Sequence, residues 1–286
     1  MLVVGATYPE ELSNVREIVG DDMTLLVPGV GAQGGDVEAM VRAGINAYGE
    51  GIIVNSSRDI IFASDGDDFA EVAAAKTAEL KDQINKYRHV ELILSLARVG
   101  AIKFGEFTLK SGIVSPIYLD LRILVAYPEV MRQVAKAYTG LLRTVTYDRM
   151  AAVPYAAMPL VAATSAENSQ PWIYTRKEAK DYGTKKMIEG EYSAGETIVV
   201  VDDMTTNGAS KLEVIAPFEK EGLIVKDVVV LLDRQQGAAK ILAKKGYKLH
   251  VVLTFDVVLS TLLQENIIDT VMYESVKEFL ANNQAK

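Results

Sequence analysis

At 286 residues, 49% apolar and 24% charged, the chain can hold one large domain or two modest ones with ample core. The lack of cysteine excludes disulfides, thiolate metal centres and cysteine nucleophiles and fits a reducing cytoplasm; two histidines, His89 and His250, are too few for a histidine-rich metal site. A net charge of −8 argues against a nucleic-acid surface, no apolar run reaches the ~20 residues of a membrane span, and Met1–Val4 lacks the basic start of a signal peptide.

Residues 1 to about 85 read as three strand–helix units. Leu2–Ala6 is a strand, and Pro9–Val19 a helix opened by Pro-Glu-Glu. Thr24–Val27 is a second strand, with a helix from Asp36 to about Ala43. Gly51–Asn55 is a third, followed by a turn at Ser56–Arg58 and a long helix from Asp68 to about Lys86. Gly29-x-Gly31-x-x-Gly34 matches the dinucleotide fingerprint, even with Glu50 near the expected distance. In a dinucleotide-binding unit the acid ends the second strand, whereas Glu50 precedes the strand at Ile52–Ile53, so a nicotinamide or flavin site is rejected.

Val4-Gly5-Ala6-Thr7, the run Val27–Asp36 and Ser56-Ser57-Arg58 resemble the last three strands and loops of orotidine 5'-monophosphate decarboxylase, a TIM barrel. The resemblance implies a vestigial nucleotide-phosphate site with Gln33 and Arg58 as ligands. The family's catalytic Asp-x-Lys-x-x-Asp array does not occur in residues 1–85, and three strands cannot close a barrel. Residues 1–86 are therefore expected to be an incomplete barrel without decarboxylase activity: an inert remnant, a holder of the product's phosphate, or an oligomerisation piece. The second domain is placed at 87–286, with His89 on a helix surface and a helix over Val90–Val99.

Alternation at Phe104, Phe107, Leu109 and at Ile117, Leu119, Leu121 predicts two short strands around a Ser111-Gly112 turn, a small hood over a doubly wound core. Here Phe-Thr-Leu-Lys-Ser-Gly (107–112) and Ser-Pro-Ile-Tyr-Leu-Asp-Leu-Arg (115–122) resemble the N-terminal part of orotate phosphoribosyltransferase. That resemblance puts Lys110 on orotate and Tyr118 beside the base; a solvated hairpin lysine is the ordinary alternative.

A helix over Pro128–Arg143 leads to a strand at Met150–Val153 and a loop, Pro154–Pro159, whose amides can face a diphosphate. Many family members have lysine where Ala156 stands, so the resemblance keeps backbone contacts at Tyr155 and Ala156 and loses a lysine contact. After a strand at Trp172–Tyr174, the run from Arg176 to Lys186 gathers the positive charge that anionic substrates require of an acidic chain. Charge runs are usually solvated helix faces, but this one lies between strands and contains Gly183 and Thr184. It resembles the family's catalytic loop, which implies that Arg176, Lys177 and Lys180 bind the departing diphosphate. Tyr182 replaces a frequent histidine and is given a contact role, because tyrosine is a poor proton shuttle near neutrality.

The stretch Thr197–Val201 is an apolar, β-branched strand of the kind buried on both faces of a parallel sheet. Asp202 and Asp203 follow, then Met204, Thr205, Thr206, Asn207, Gly208, Ala209 and Ser210, and a helical pattern from Lys211 to Lys220. Turn amides, a helix N-terminus and the hydroxyls of Thr205, Thr206 and Ser210 suit a phosphate, while the two acids suit hydroxyls or a metal. The stretch resembles the phosphoribosyl-diphosphate (PRPP) motif of type I phosphoribosyltransferases; a buried strand ending in a solvated Asp-Asp turn is the plain alternative. Another buried strand, Lys226–Leu232, ends at Arg234, a residue suited to planar carboxylate binding; the resemblance places orotate's carboxylate there, with Thr206 nearby. Leu249–Thr254 is the last strand, making His250 a core or edge residue, and helices at about Val257–Leu263 and Ile267–Ala281 close the chain.

These features imply an α/β protein of the type I phosphoribosyltransferase fold that converts orotate and PRPP to orotidine 5'-monophosphate and diphosphate. The resemblance also implies Mg²⁺ bound mainly through PRPP with no dedicated metal ligands, a cytoplasmic homodimer sharing its basic loop across subunits, and no nucleic-acid or membrane partner. The order of the pieces is that of a truncated bifunctional UMP synthase. Three alternatives are a PRPP-sensing regulator of the same fold, a transferase for another base, and part of a bifunctional enzyme with an inactive decarboxylase half. The basic loop with Arg234 argues against the first, and the pair Lys110 and Arg234 against the second, since purines carry no carboxylate.

Overall fold

Apolar side chains gather into two separate cores in the computed structural model, which describes residues 1–31, 34–108, 112–176 and 187–283. The chain divides accordingly into two units, Met1–Val90 and Glu91–Lys286. The boundary expected near residue 86 falls in the last turn of a helix, Phe69–Tyr87, that belongs whole to the first unit.

The first unit runs β1 (Leu2–Val3), α1 (Pro9–Val19), β2 (Leu25–Pro28), α2 (Val37–Gly44), β3 (Ile52–Asn55), α3 (Arg58–Ile61) and α4 (Phe69–Tyr87). Proline and acids open α1, and the Asp36 carboxylate caps α2 by accepting from the Ala39 amide at 2.7 Å. The strands pair in parallel in the order β1–β2–β3. Leu25 and Val27 are fully buried with Leu12 of α1 and Met40 and Val41 of α2. Across the strands Val3, Leu26 and Ile53 lie in register, and Val3 and Ile53 are 67% and 51% exposed. The sheet is therefore open, as three strands must be. Arg16 ties the unit together: its guanidinium donates to the carbonyls of Gly44, Gly20, Met23 and Gly51 at 2.7–2.9 Å.

His89 departs from its expected place on a helix surface. It lies in the turn after α4, half-buried, where its ring occupies the space a side chain at Gly49 would need. Arg88 closes that contact by donating to the Gly49 carbonyl at 2.5 Å. Burial, and then the Arg88 charge, push the His89 imidazole down to about 3.

The second unit begins with α5 (Val90–Arg98), which starts at the junction, and an antiparallel hairpin, β4 (Ile102–Thr108) with β5 (Val114–Leu119). After a 3₁₀ turn (Leu121–Ala126) come α6 (Pro128–Leu142), β6 (Arg149–Ala152), α7 (Ala157–Asn168), β7 (Trp172–Thr175) and β8 (Ile188–Glu189). The chain continues through β9 (Thr197–Thr205), α8 (Ala209–Lys220), β10 (Ile224–Asp233), α9 (Ala238–Lys244) and β11 (Lys248–Thr254). Helices α10 (Phe255–Gln264) and α11 (Thr270–Asn282) end it. The sheet order is β11–β10–β9–β6–β7–β8, parallel throughout except for β8. The winding direction reverses between β6 and β9, and the crevice at their carboxyl ends is where such sheets bind ligands.

Strand β9 lies between two neighbours, and Ile198 to Val201 are at most 1% exposed. It runs further than its apolar run suggests. Pairing of Asp202, Met204 and Thr205 with Val230, Leu232 and Asp233 of β10 carries the ladder through the acidic pair. His250 is an edge-strand residue on β11, with Nε2 2.7 Å from Asp227 Oδ1.

His89 makes the first unit pH-sensitive. Its folded pKa is depressed, so the unfolded chain takes up a proton first as pH falls below about 6.5, and stability declines from there toward pH 3. Chemical unfolding should show this unit losing up to about 2 kcal/mol between pH 7 and pH 5. His89→Gln should flatten that dependence; an unchanged slope would refute the assignment.

Candidate active site

A cleft of about 450 Å³ opens at the carboxyl ends of β6 and β9. Its walls are the end of β5 with Asp120 and Arg122, the turn after β6 with Pro154 and Ala156, and the segment from Asp202 to Lys211. The first wall is rigidified by an ion pair, Arg122 Nε to Asp120 Oδ1 at 2.7 Å, and Arg122 also donates to the Tyr118 hydroxyl at 3.3 Å. Tyr118 in turn packs against Phe107, with ring centroids 5.5 Å apart and the planes tilted by 31°.

The acidic pair is held from several sides. Asp202, 4% exposed, accepts from the Asp203 amide at 2.8 Å through Oδ1, and its Oδ2 is paired with the Lys211 ammonium. Lys211, also 4% exposed, donates to the Met204 carbonyl at 2.7 Å and lies 3.4 Å from Ser210 Oγ. Beneath, the buried Tyr138 hydroxyl donates to the Asp202 carbonyl at 2.7 Å. Asp203 is half-buried, accepts from the Met204 amide at 2.7 Å, and is pushed up to about 7. Burial is the largest cause, with the adjacent Asp202 charge next, and Lys211 works in the opposite direction.

Beyond the strand, Thr206, Asn207 and Ser210 line the cleft ahead of α8. Gly208 turns with φ +78°, and a side chain there would press on Leu242 at 3.3 Å. Asn207 Oδ1 accepts from the Ala209 amide at 3.1 Å, so its side chain occupies one donor that the bare turn would offer an anion. Thr205 is placed differently from Thr206 and Ser210: it is 1% exposed, within the sheet, and its hydroxyl has no partner among the described residues.

Of the other expected residues, the described ones, Arg234, Tyr155, Arg176 and Arg58, are not among those lining this cleft. Arg234 follows β10, its amide donating to the Thr205 carbonyl at 3.0 Å. Its Nε is buried with no partner among the described residues, and burial lowers its pKa. Tyr155 is 65% exposed in the turn before α7. Arg176, at the end of β7, is paired through Nε with Glu189 of β8, so the guanidinium expected on a diphosphate already holds a carboxylate. Lys110, Lys177, Lys180 and Tyr182 lie outside the described residues, as does Gln33. In the first unit Arg58 is exposed and borders a hollow of about 150 Å³ with Asn55 and Ser57. Among the described residues no group of three or more His, Cys, Asp or Glu could hold a metal ion.

Lys211 is the site residue that sequence reasoning passed over. A lysine in the first turn of a helix reads as a solvated charge. The missing signal was its position one turn after a strand whose end is acidic.

Comparison with known proteins bears on this arrangement. No protein-family model matches the chain. An orotate phosphoribosyltransferase of Natronomonas pharaonis is 38% identical over 164 residues, covering 57% of this chain and 93% of that protein. The chain belongs to the orotate phosphoribosyltransferase family. A bifunctional PyrF/PyrE enzyme of Nostoc sp. is 31% identical over 280 residues, 92% of this chain. The solved structure of Leishmania donovani UMP synthase superposes over 98% of this chain with a TM-score of 0.67 and 41% identity. The chain spans 58% of the length of the Nostoc enzyme and 61% of the Leishmania one. Its second unit has the type I phosphoribosyltransferase fold, and both longer matches take in the first unit, in keeping with a partial decarboxylase barrel there.

Asp203 should make the protein without ligand less stable as pH rises. Its folded pKa lies above the unfolded value, so the folded state holds the extra proton between about pH 4 and 7, and stability falls through that window. Asp203→Asn should therefore raise stability by up to about 4 kcal/mol at pH 8 and leave it nearly unchanged at pH 4 in denaturant titrations. Equal effects at both pH values would contradict the placement.

Proposed function

We propose that the chain transfers a phosphoribosyl group from PRPP to orotate, giving orotidine 5'-monophosphate and diphosphate. The observation that carries this reading is the joining, in one cleft, of an acidic pair at a strand end with a helix N-terminus opening on hydroxyl and amide donors. A ribose 5-phosphate asks for both: hydroxyls on the acids and phosphate on the turn. Family membership supports the choice of reaction.

In this reading Asp203, with Asp202, accepts the ribose hydroxyls, while Thr206, Ser210 and the α8 amides take the 5-phosphate. The unpartnered Nε of Arg234 is a donor suited to orotate's carboxylate, and Lys110 and Tyr118 complete the base site. As the bond from C1 to diphosphate breaks, positive charge builds on the sugar and negative charge on the leaving group. Orotate N1 forms the new bond to C1, and its proton leaves with the diphosphate or to solvent. Catalysis is then positioning and electrostatics, with Arg176, Lys177 and Lys180 assigned to the diphosphate and the backbone at Tyr155 and Ala156 beside it. Arg176 would exchange Glu189 for the substrate.

Mg²⁺ enters as part of the substrate, the magnesium salt of PRPP, because this ion keeps most of its waters and binds chiefly through substrate phosphates. The same reading carries a cytoplasmic homodimer whose basic loop serves the partner's cleft; exposed Val125 and Tyr155 are apolar surface such a contact would cover. It includes no nucleic-acid or membrane partner and assigns no decarboxylase chemistry to residues 1–85, where the Asp-x-Lys-x-x-Asp array does not occur.

Turnover of orotate with Mg²⁺ and PRPP, with product identification, tests the proposal. Orotidine 5'-monophosphate should appear, and Arg234→Ala should raise the orotate KM by about 100-fold while changing the PRPP KM little. Uridine 5'-monophosphate as product, or no PRPP-dependent consumption of orotate, would contradict it.

A further inference from the structure

The reaction assigned above uses the acidic pair and the phosphate turn but gives no task to Lys211, the charged group built deepest into the cleft. The residue is 4% exposed, and its side chain reaches from the first turn of α8 back to β9. There the ammonium meets three oxygens: Asp202 Oδ2, the Met204 carbonyl and Ser210 Oγ. The first two belong to the strand end that carries the ribose-binding acids, the third to the helix start that faces the phosphate. A buried ammonium needs such a set of acceptors, and a buried carboxylate needs such a donor; each would be costly to leave unpaired.

We propose that Lys211 is a positioning residue for the phosphoribosyl group, locking the Asp202 carboxylate to the first turn of α8 so that the ribose acids and the phosphate turn are held as one rigid site. The inference rests on the phosphoribosyl-transfer reading and adds to it a division of labour between the two acids. Asp202 has one oxygen on Lys211 and the other on the Asp203 amide, so it frames the site. Asp203 is the more accessible acid and meets the ligand. Lys211 also sets the electrostatics under Asp203, since it is the cation that opposes the burial and the Asp202 charge raising that carboxyl. The other charged groups lining the cleft, Asp120 and Arg122 after β5, are paired with each other, and Tyr138 of α6 meets the pair through its hydroxyl, which donates to the Asp202 carbonyl.

The test is steady-state kinetics of Lys211→Met, which keeps the length and bulk of the stem and removes the charge. Wild-type turnover is measured first, so that a protein with no transferase activity counts against the function and not against Lys211. In the variant the PRPP KM should rise at least about 10-fold at pH 7, with the orotate KM within about 2-fold of wild type. The acid limb of kcat/KM for PRPP should move to higher pH by about one unit, so that raising the pH recovers part of the loss. An acid limb that stays in place, whatever the loss in rate, would show a packing role only and overturn the proposal, as would an unchanged PRPP KM. Should Lys211→Met fail to fold, the decision passes to Asp202→Asn, alone and combined with Lys211→Met, the double variant leaving neither charge of the pair behind. Because Lys211 acts through Asp202, adding Lys211→Met there should change the PRPP KM by less than about 3-fold; a further 10-fold loss would equally overturn the proposal.

Discussion

Two neighbouring carboxylates at the end of a buried strand are the constraint around which the cleft is built. Like charges about 4 Å apart repel by about 4 kcal/mol at the effective dielectric of a protein site. The fold answers with three features: the Lys211 ammonium, amide donors at Asp203 and Met204, and a carboxyl at Asp203 that holds its proton to about pH 7. A site kept in that condition is poised for a ligand that brings hydroxyl donors to the acids, and this is the trade of stability for function common in active sites.

The topology explains why the strain is tolerated at this place. Strand β9 is paired with β10 from Thr197 to Thr205 and with β6 from Ile198 to Val201, so its apolar half is held on both sides while its carboxyl end opens into the crevice between oppositely wound halves. The acids thus stand on a rigid support, whereas the donors for an anion sit on the turn and first helical residues, within reach of the same ligand. Arg234 comes from the neighbouring strand and is tied to β9 through the Thr205 carbonyl, so the expected base site and ribose site share a backbone.

Much of this was legible in the residues. The β-branched run before Asp202 announced a buried strand, Gly208 a turn into a helix, and the order of strands and helices an α/β sheet. What escaped detection had too little sequence to signal it or depended on distant partners. Strand β8 is two residues long, so neither periodicity nor composition marks it, and with it went the pairing of Arg176 with Glu189. His89 looked like surface because nothing local tells that Gly49, forty positions earlier, leaves room for its ring. Lys211 and Arg16 are both charges that local pattern assigns to solvent: Arg16 is buried by carbonyls as far along the chain as Gly44 and Gly51, and Lys211 because its helix folds back on the strand end just before it. In the first unit the four carbonyls around Arg16 bind helix, turn and strand together, while the face of Val3, Leu26 and Ile53 stays uncovered within that unit.

The most direct test of the account is calorimetric titration of the full chain with the magnesium salt of PRPP at pH 7, in two buffers of different ionisation enthalpy. If the ribose hydroxyls settle on Asp203, binding favours its charged form, and the complex should release roughly half a proton more than the Asp203→Asn variant does. Binding with the same proton count in both proteins, or no binding, would contradict the central claim that this acidic pair is where the sugar is held.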